Sequence, residues 1–162
     1  DMLMWHPAEK PEDAGLQLLS CLFATVQISV CLDQITDDMK RMLLFWLGFM
    51  DEKREILLHS QIQPEEPENL YPEVCAECGN EKILVHYSKG RLADLRDINK
   101  KIYYIHAVKE EEVCFRCNSS DTLKYEVRDC YGNLMESNEM SANQFVIISV
   151  PTSGMVEFTR KL

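Results

Sequence analysis

The sequence predicts an α+β protein, a helical N-terminal region followed by a β-rich antiparallel zinc-binding domain. Three observations predict it. Apolar residues recur at helical spacing through the first third of the chain, and period-two alternation broken by turn residues dominates the last half. Two Cys-x-x-Cys pairs, Cys75-Ala76-Glu77-Cys78 and Cys114-Phe115-Arg116-Cys117, are separated by thirty-five residues. The implied division is an acidic helical region over 1–63, a Pro/Glu-rich linker over 64–72 and a β-rich domain with a four-cysteine zinc site over 73–162. At 162 residues the chain is long enough to bury a substantial core. Opening on Asp1 rather than Met, it reads as an excised fragment or a tag remnant.

Residues 1–10 carry no clear period and read as an arm. Pro11-Glu12-Asp13 suits a first helical turn, because proline is tolerated there and acids complement the positive end of the helix dipole. Leu19, Leu22, Phe23, Val26 and Val30 then recur at helical spacing. Val26, Ile28, Val30 and Leu32 also alternate as a strand would, and the length of the run favours a helix. Ala14 to Leu32 is free of charge over nineteen residues, but Gln17, Ser20, Thr25, Gln27 and Ser29 make it a poor membrane span, and no basic segment precedes it. It reads as buried, with Cys21 and Cys31 in the core.

Thr36-Asp37-Asp38 is a helix start, and Met39, Met42, Leu43, Trp46, Leu47 and Met50 form a stripe beyond it. Gly48 is placed to end or kink that helix, and Asp51 to cap a short one holding Ile56, Leu57 and Leu58. Pro64-Glu65-Glu66-Pro67-Glu68 then stops helical structure. Met39, Met42, Trp46 and Met50 suit either a bundle core or an adaptable partner face, through which the helical region could also form a homodimer.

In the second half, Lys82–Ser88 reads as a strand and Lys89-Gly90 as a turn. Leu92, Leu95 and Ile98, three apart, suit a short helix. Lys101–Val108 returns to β character, with a longer helix through Ile102 and Ile105 as the alternative. Leu123, Tyr125 and Val127 alternate with Lys124, Glu126 and Arg128 as a half-exposed strand. Tyr131-Gly132-Asn133 is a turn and Glu136–Asn143 a loop. Phe145–Val150 and Met155–Arg160, joined by Pro151-Thr152-Ser153-Gly154, read as a C-terminal hairpin.

Cys75, Cys78, Cys114 and Cys117 supply four thiolates for one closed, structural Zn²⁺, since a tight Cys-x-x-Cys turn aims two sulfurs at one point and four thiolates leave no open catalytic position. The four cysteines and the coarse order of elements resemble the β-tent zinc folds of yippee-like proteins and zinc-bearing methionine sulfoxide reductases. They also resemble the small zinc modules of papillomavirus early proteins. Both resemblances imply a fold and carry no function. His86 and His106 could replace a cysteine or act in acid-base chemistry, although an ordinary satisfied histidine is the commoner outcome. Cys130 is a spare thiol with no basic partner beside it in sequence. Asn118-Ser119-Ser120 matches the glycosylation pattern, read here as coincidence directly behind a cysteine in an intracellular chain.

No phosphate loop, nucleophile elbow, kinase set or zinc-deaminase pattern occurs. The net charge is −10, divided as thirteen acids against five bases before residue 70 and fourteen against twelve after it. That balance opposes general binding to phosphate backbones. Lys89, Arg91, Arg96, Lys100 and Lys101, interleaved with Tyr103, form the one local exception. The functional expectation is therefore a non-enzymatic, intracellular adaptor of a regulatory or viral accessory kind, engaging another protein and holding one zinc. The alternative is a nucleic-acid-binding regulator using residues 89–109.

Overall fold

The computed structural model describes residues 1–117, 121–141 and 144–161. In chain order the small elements come first. Strand β1 (Met2–Leu3) pairs in parallel with β2 (Gln27–Ile28), flanking helix α1 (Pro11–Ser20), and helices α2 (Asp37–Glu52) and α3 (Arg54–Leu58) follow. The expected arm is thus anchored, with Leu3 and Trp5 buried in the core. The apolar run from residue 14 does not stay helical. It leaves α1 after Ser20 and supplies β2, so the alternating pattern prevails there. Thr36 does start α2, accepting a hydrogen bond from the Met39 amide at 3.1 Å, and the helix runs through Gly48 to Glu52.

The rest of the chain is strand. β3 (Gln61–Glu65), β4 (Glu73–Cys78), β5 (Glu81–His86), β7 (Lys101–His106), β9 (Leu123–Arg128), β10 (Leu134–Met140) and β12 (Met155–Arg160) make a seven-stranded sheet in the order β10-β9-β12-β7-β5-β4-β3. β6 (Leu92–Leu95), β8 (Glu112–Cys117) and β11 (Gln144–Ser149) make a second sheet in the order β11-β8-β6.

The α+β expectation is corrected by this. Strand accounts for 39 % of the structure against 22 % for helix, and no N-terminal helical bundle forms among the described residues. The physical reason lies in the partner each helix finds. Ala14, Leu18, Met42, Trp46 and Ile56 pack into one cluster with Ala76, Ile83, Val85, Tyr103 and Ile105 of the large sheet, so the helices, α1 lying against α2, share a single core with a sheet face and do not close a core of their own. The alternate residues of the same strands, Leu84, Tyr104 and Val156, face the small sheet, where Ala93, Phe115 and Ile148 meet them. Three layers result, with the central strands buried on both faces.

Neither sheet is purely antiparallel. β5 pairs with β7 in parallel, as does β6 with β8, because the chain alternates between sheets from β5 to β8. Each crossover is a strand of the other layer, where a helix would be usual. The expected helix at Leu92–Ile98 is instead β6, with Ala93 and Leu95 turned inward and Leu92 and Asp94 outward, a period of two. The expected loop at 136–143 is strand as far as Met140, and residues 142 and 143 lie outside the described residues. The expected C-terminal hairpin is absent as well: β11 pairs with β8, whereas β12 lies between β7 and β9. Residues 64–72, read as a linker, hold the end of β3, paired to β4, and a 3-10 turn over Pro67–Asn69.

Helix α1 is held where Ser153 donates from Oγ to the Glu12 carbonyl at 2.6 Å, and Gly15 permits that approach. A Cβ on Gly15 would meet the Ser153 Cβ and Oγ at 2.9 Å. Alanine is the better helix former by about 1 kcal/mol in an exposed helix. Here we predict the opposite sign: Gly15→Ala lowers stability by about 1–3 kcal/mol in urea unfolding, the usual scale of overpacking. A stabilised variant would show that the helix shifts freely on the sheet.

Candidate functional site

The predicted zinc ligands are where the structure departs furthest from expectation. Both Cys-x-x-Cys segments lie within regular strands, the first in β4 and the second in β8. In an extended strand residues three apart point to opposite faces, so neither pair can aim two sulfurs at one point. Cys75 and Cys117 turn into the space between the sheets and are buried, while Cys78 is exposed and Cys114 half-buried. Among the described residues no group of three or more His, Cys, Asp or Glu side chains converges as metal ligands. The zinc, zinc-finger and helical-bundle readings are therefore corrected. A tight turn was needed at each pair, and the pairing of Cys75 with Leu84, and of Cys114 with Leu92 and Ile147, keeps the strands straight.

The other cysteines are placed by packing. Cys130 is buried on the helix side, where burial pushes its thiol up to about 12. Cys21 is half-buried, and Cys31 is exposed because its segment is a surface turn rather than a helix. Residues 118–120, which hold the glycosylation pattern, lie outside the described residues.

His86 and His106 stand opposite each other at the ends of the parallel pair β5–β7, on the face that meets the small sheet. Each is 1 % exposed. Between them the Tyr104 hydroxyl lies 3.2 Å from each Nδ1. His86 Nε2 is 2.7 Å from Glu73 Oε2, and His106 Nε2 donates to the Glu110 carbonyl at 2.6 Å. A carbonyl only accepts, which fixes the direction of the whole chain. With Nε2 of neutral His106 as donor, its Nδ1 accepts from the Tyr104 hydroxyl, and the Tyr104 oxygen in turn accepts from His86 Nδ1. One proton then lies between His86 Nε2 and Glu73, and every polar atom in the buried chain has its partner.

Burial holds His106 below the ordinary histidine range and pushes the Tyr104 hydroxyl above the tyrosine range. The imidazoles are closed to a substrate, so the arrangement is a satisfied structural network. Sequence reading named both histidines but missed Tyr104 and Glu73, which only the strand register brings to them.

The basic stretch is dispersed by pairing. Arg91 meets Glu66 at 2.7 Å, Arg96 meets Asp94 at 3.1 Å, Lys101 meets Glu157 at 2.8 Å, and Lys100 binds Glu77. Lys89 is exposed. Tyr103 is 4 % exposed, its ring beneath Lys53 and its hydroxyl donating to Glu81 at 3.1 Å. Lys100 holds the Glu77 carboxyl below the usual range, and Arg116 does the same for Asp94.

Met39, Met42 and Trp46 are fully buried in the core formed with α1 and the sheet, and Met50 is half-buried. The apolar residues that α2 does show to solvent are Leu44, 73 % exposed, and Leu47. With Leu32, 57 % exposed, and with Ile28, Val30 and Leu43, they line a groove of about 410 Å³ between α2 and the segment after β2. The sequence did carry a signal for this. Leu44 sits off the Met/Trp stripe, and a helix whose apolar residues spread wider than one stripe leaves some uncovered.

No protein-family model matches the chain, and no curated protein is similar to it in sequence. No described helix is long and apolar enough to cross a membrane.

Cysteine substitution reports on the strand geometry. Cys78→Ser should change stability by less than about 0.5 kcal/mol, as at other exposed sites. Cys117→Ser places a hydroxyl in the core and should cost about 1–3 kcal/mol. Equal collapse of both variants would restore a shared metal centre.

The pH dependence follows from His106. The unfolded chain binds a proton there near the ordinary histidine value of 6.5, but the native chain does so only at lower pH, so protons favour unfolding below that value. Glu77 and Asp94 add their losses only below their own unfolded values of 4.5 and 3.8. Urea midpoints should therefore fall between about pH 7.5 and about pH 5.5 in the native protein, and less in His106→Gln, which keeps a donor for the Glu110 carbonyl. A flat wild-type profile would contradict the burial of a neutral His106.

Proposed function

We propose that this chain is a non-enzymatic, intracellular protein-interaction module that takes an apolar helical segment of another protein into the groove beside α2. The observation that carries the reading is the exposure of Leu44, Leu47 and Leu32 around one concave, almost wholly apolar surface. Burying exposed leucines is the main driving force for helix-in-groove recognition, and an amphipathic helix presents apolar residues at the matching three- and four-residue spacing.

Charge sets the kind of partner. Asp37, Asp38, Asp51 and Glu52 on α2 are each ion-paired, to Lys40, Arg41, Arg54 and Lys53, so the attraction is long-range and comes from the net −8 carried by the residues before position 70. A segment with Lys or Arg flanking its apolar stripe is steered towards such a surface, and an acidic one is repelled. The inaccessibility of the buried histidines supports a binding role over catalysis. Solvent-exposed thiols at Cys31 and Cys78 suit a reducing compartment.

Peptide selection tests this. A random peptide library panned on the purified protein should yield amphipathic sequences with basic flanks. Leu44→Glu should weaken the selected peptides about tenfold or more, equivalent to about 1.4 kcal/mol. Selected peptides that bind Leu44→Glu and Leu47→Glu as tightly as the native protein would place recognition elsewhere.

A further inference from the structure

We propose that β11 is a self-docking edge, at which two copies of this chain pair antiparallel and join their three-stranded sheets into one six-stranded sheet. The two larger sheets present four edges, formed by β10, β3, β11 and β6. An open edge invites pairing, and proteins that must stay apart blunt it with charge, proline, irregularity or shortness. Three of the four edges carry such a device. β3 contains Pro64 and ends on Glu65. β10 holds Glu136 and Glu139, and its register shifts between Leu134 and Glu136. β6 is four residues long and carries Asp94, ion-paired to Arg96 and Arg116.

β11 has none of these. Its six residues, Gln-Phe-Val-Ile-Ile-Ser, include no charge and no proline, and they pair with β8 in unbroken register from Gln144 to Ser149. Ile148 is buried between the sheets, whereas Phe145 and Ile147 on the opposite face are each 66 % exposed. Ile147 continues a row across the outer face through Cys114 of β8 to Leu92 of β6. The next row is Phe145, Arg116 and Asp94, the last two bound to each other at 2.6 Å. The outward face of this edge is therefore apolar at Phe145 and Ile147; the charges in the row on one side neutralise each other, and the row on the other side sets Ser149 opposite the exposed Glu112.

A second copy is the occupant that fits. Because Phe145 and Ile147 lie on one face two residues apart, a two-fold axis through Val146 sets Phe145 of each copy opposite Ile147 of the other, extending one apolar strip over both sheets. A chain of net charge −10 repels its own copies over most of its surface. The uncharged edge is where that repulsion is least, and added salt should weaken what remains.

Sedimentation velocity on the purified chain tests the proposal. Between about 1 µM and about 300 µM the native protein should move from monomer towards dimer, and the more so at higher salt. Ile147→Lys should keep its native circular dichroism, since the side chain is largely in solvent, and remain monomeric throughout. Phe145→Lys provides the same test should that variant misfold. Leu44→Glu should dimerise like the native protein, which separates this edge from the helical groove. Hydrogen exchange should show added protection in β11 at high concentration. A native protein that stays monomeric, a dimer that survives Ile147→Lys and Phe145→Lys, or an edge that protects only when an unrelated extended peptide is added would each overturn the proposal.

Discussion

The structure depends on the burial of one strand pair on both of its faces. β5 and β7 run parallel in register from Glu81 and Lys101 to His86 and His106. Ile83, Val85, Tyr103 and Ile105 meet the helices, and Leu84 and Tyr104 meet the small sheet. Alternate residues of each strand must therefore satisfy two different environments, and a one-residue slip would exchange them all. This register also aligns the two histidines with the tyrosine between them. A polar network tolerated at the centre of a fold is one in which every donor and acceptor is matched, and the Glu110 carbonyl supplies the fixed end from which the matching runs.

The helical layer is subordinate to that pair. Met39, Met42 and Trp46 are spent on the core that α1 and the sheet share, which leaves the opposite side of α2 without a covering layer. Lys53, 7 % exposed, fastens this layer from its own side: its ammonium lies 2.7 Å from Glu81 at the start of β5 and 2.8 Å from Glu52. A buried cation is sustained only when carboxylates surround it, so the junction between α2 and the sheet is specific as well as apolar. The groove over Leu44 and the open edge at β11 lie in the outer two layers, on elements whose inner faces are already occupied.

Three layers also explain how the chain manages without long helices. Each of its sheets covers one face of the other, and the crossovers that a parallel pairing requires are strands of the opposite sheet. The acidic surface that results is neutralised locally, with Arg91, Arg96, Lys100 and Lys101 each engaged by a carboxylate. The carboxylates of α2 are likewise paired, to Lys40, Arg41, Lys53 and Arg54. What remains without a partner is apolar, the groove over Leu44 and the strip of β11, two surfaces of different shape that suit different occupants.

The sequence by itself determined the features that depend on neighbours along the chain. Thr36 and its following acids mark the start of α2, the alternation of Leu123, Tyr125 and Val127 marks β9, and the charge imbalance before residue 70 is a matter of counting. Partner choice between distant segments was decided only in the tertiary structure. The Cys-x-x-Cys spacing is compatible with a chelating turn or with a straight strand, and the pairing of Cys75 with Leu84 and of Cys114 with Ile147 selects the strand, separating the thiols. The Met and Trp stripe fits a helix or a sheet as its partner, and in the fold it joins a core with both α1 and the large sheet. Likewise nothing local to Tyr104 announces two histidine partners. Spacing along a chain fixes which side chains share a face, whereas the meeting of two faces is settled by the burial each pairing achieves across the whole molecule.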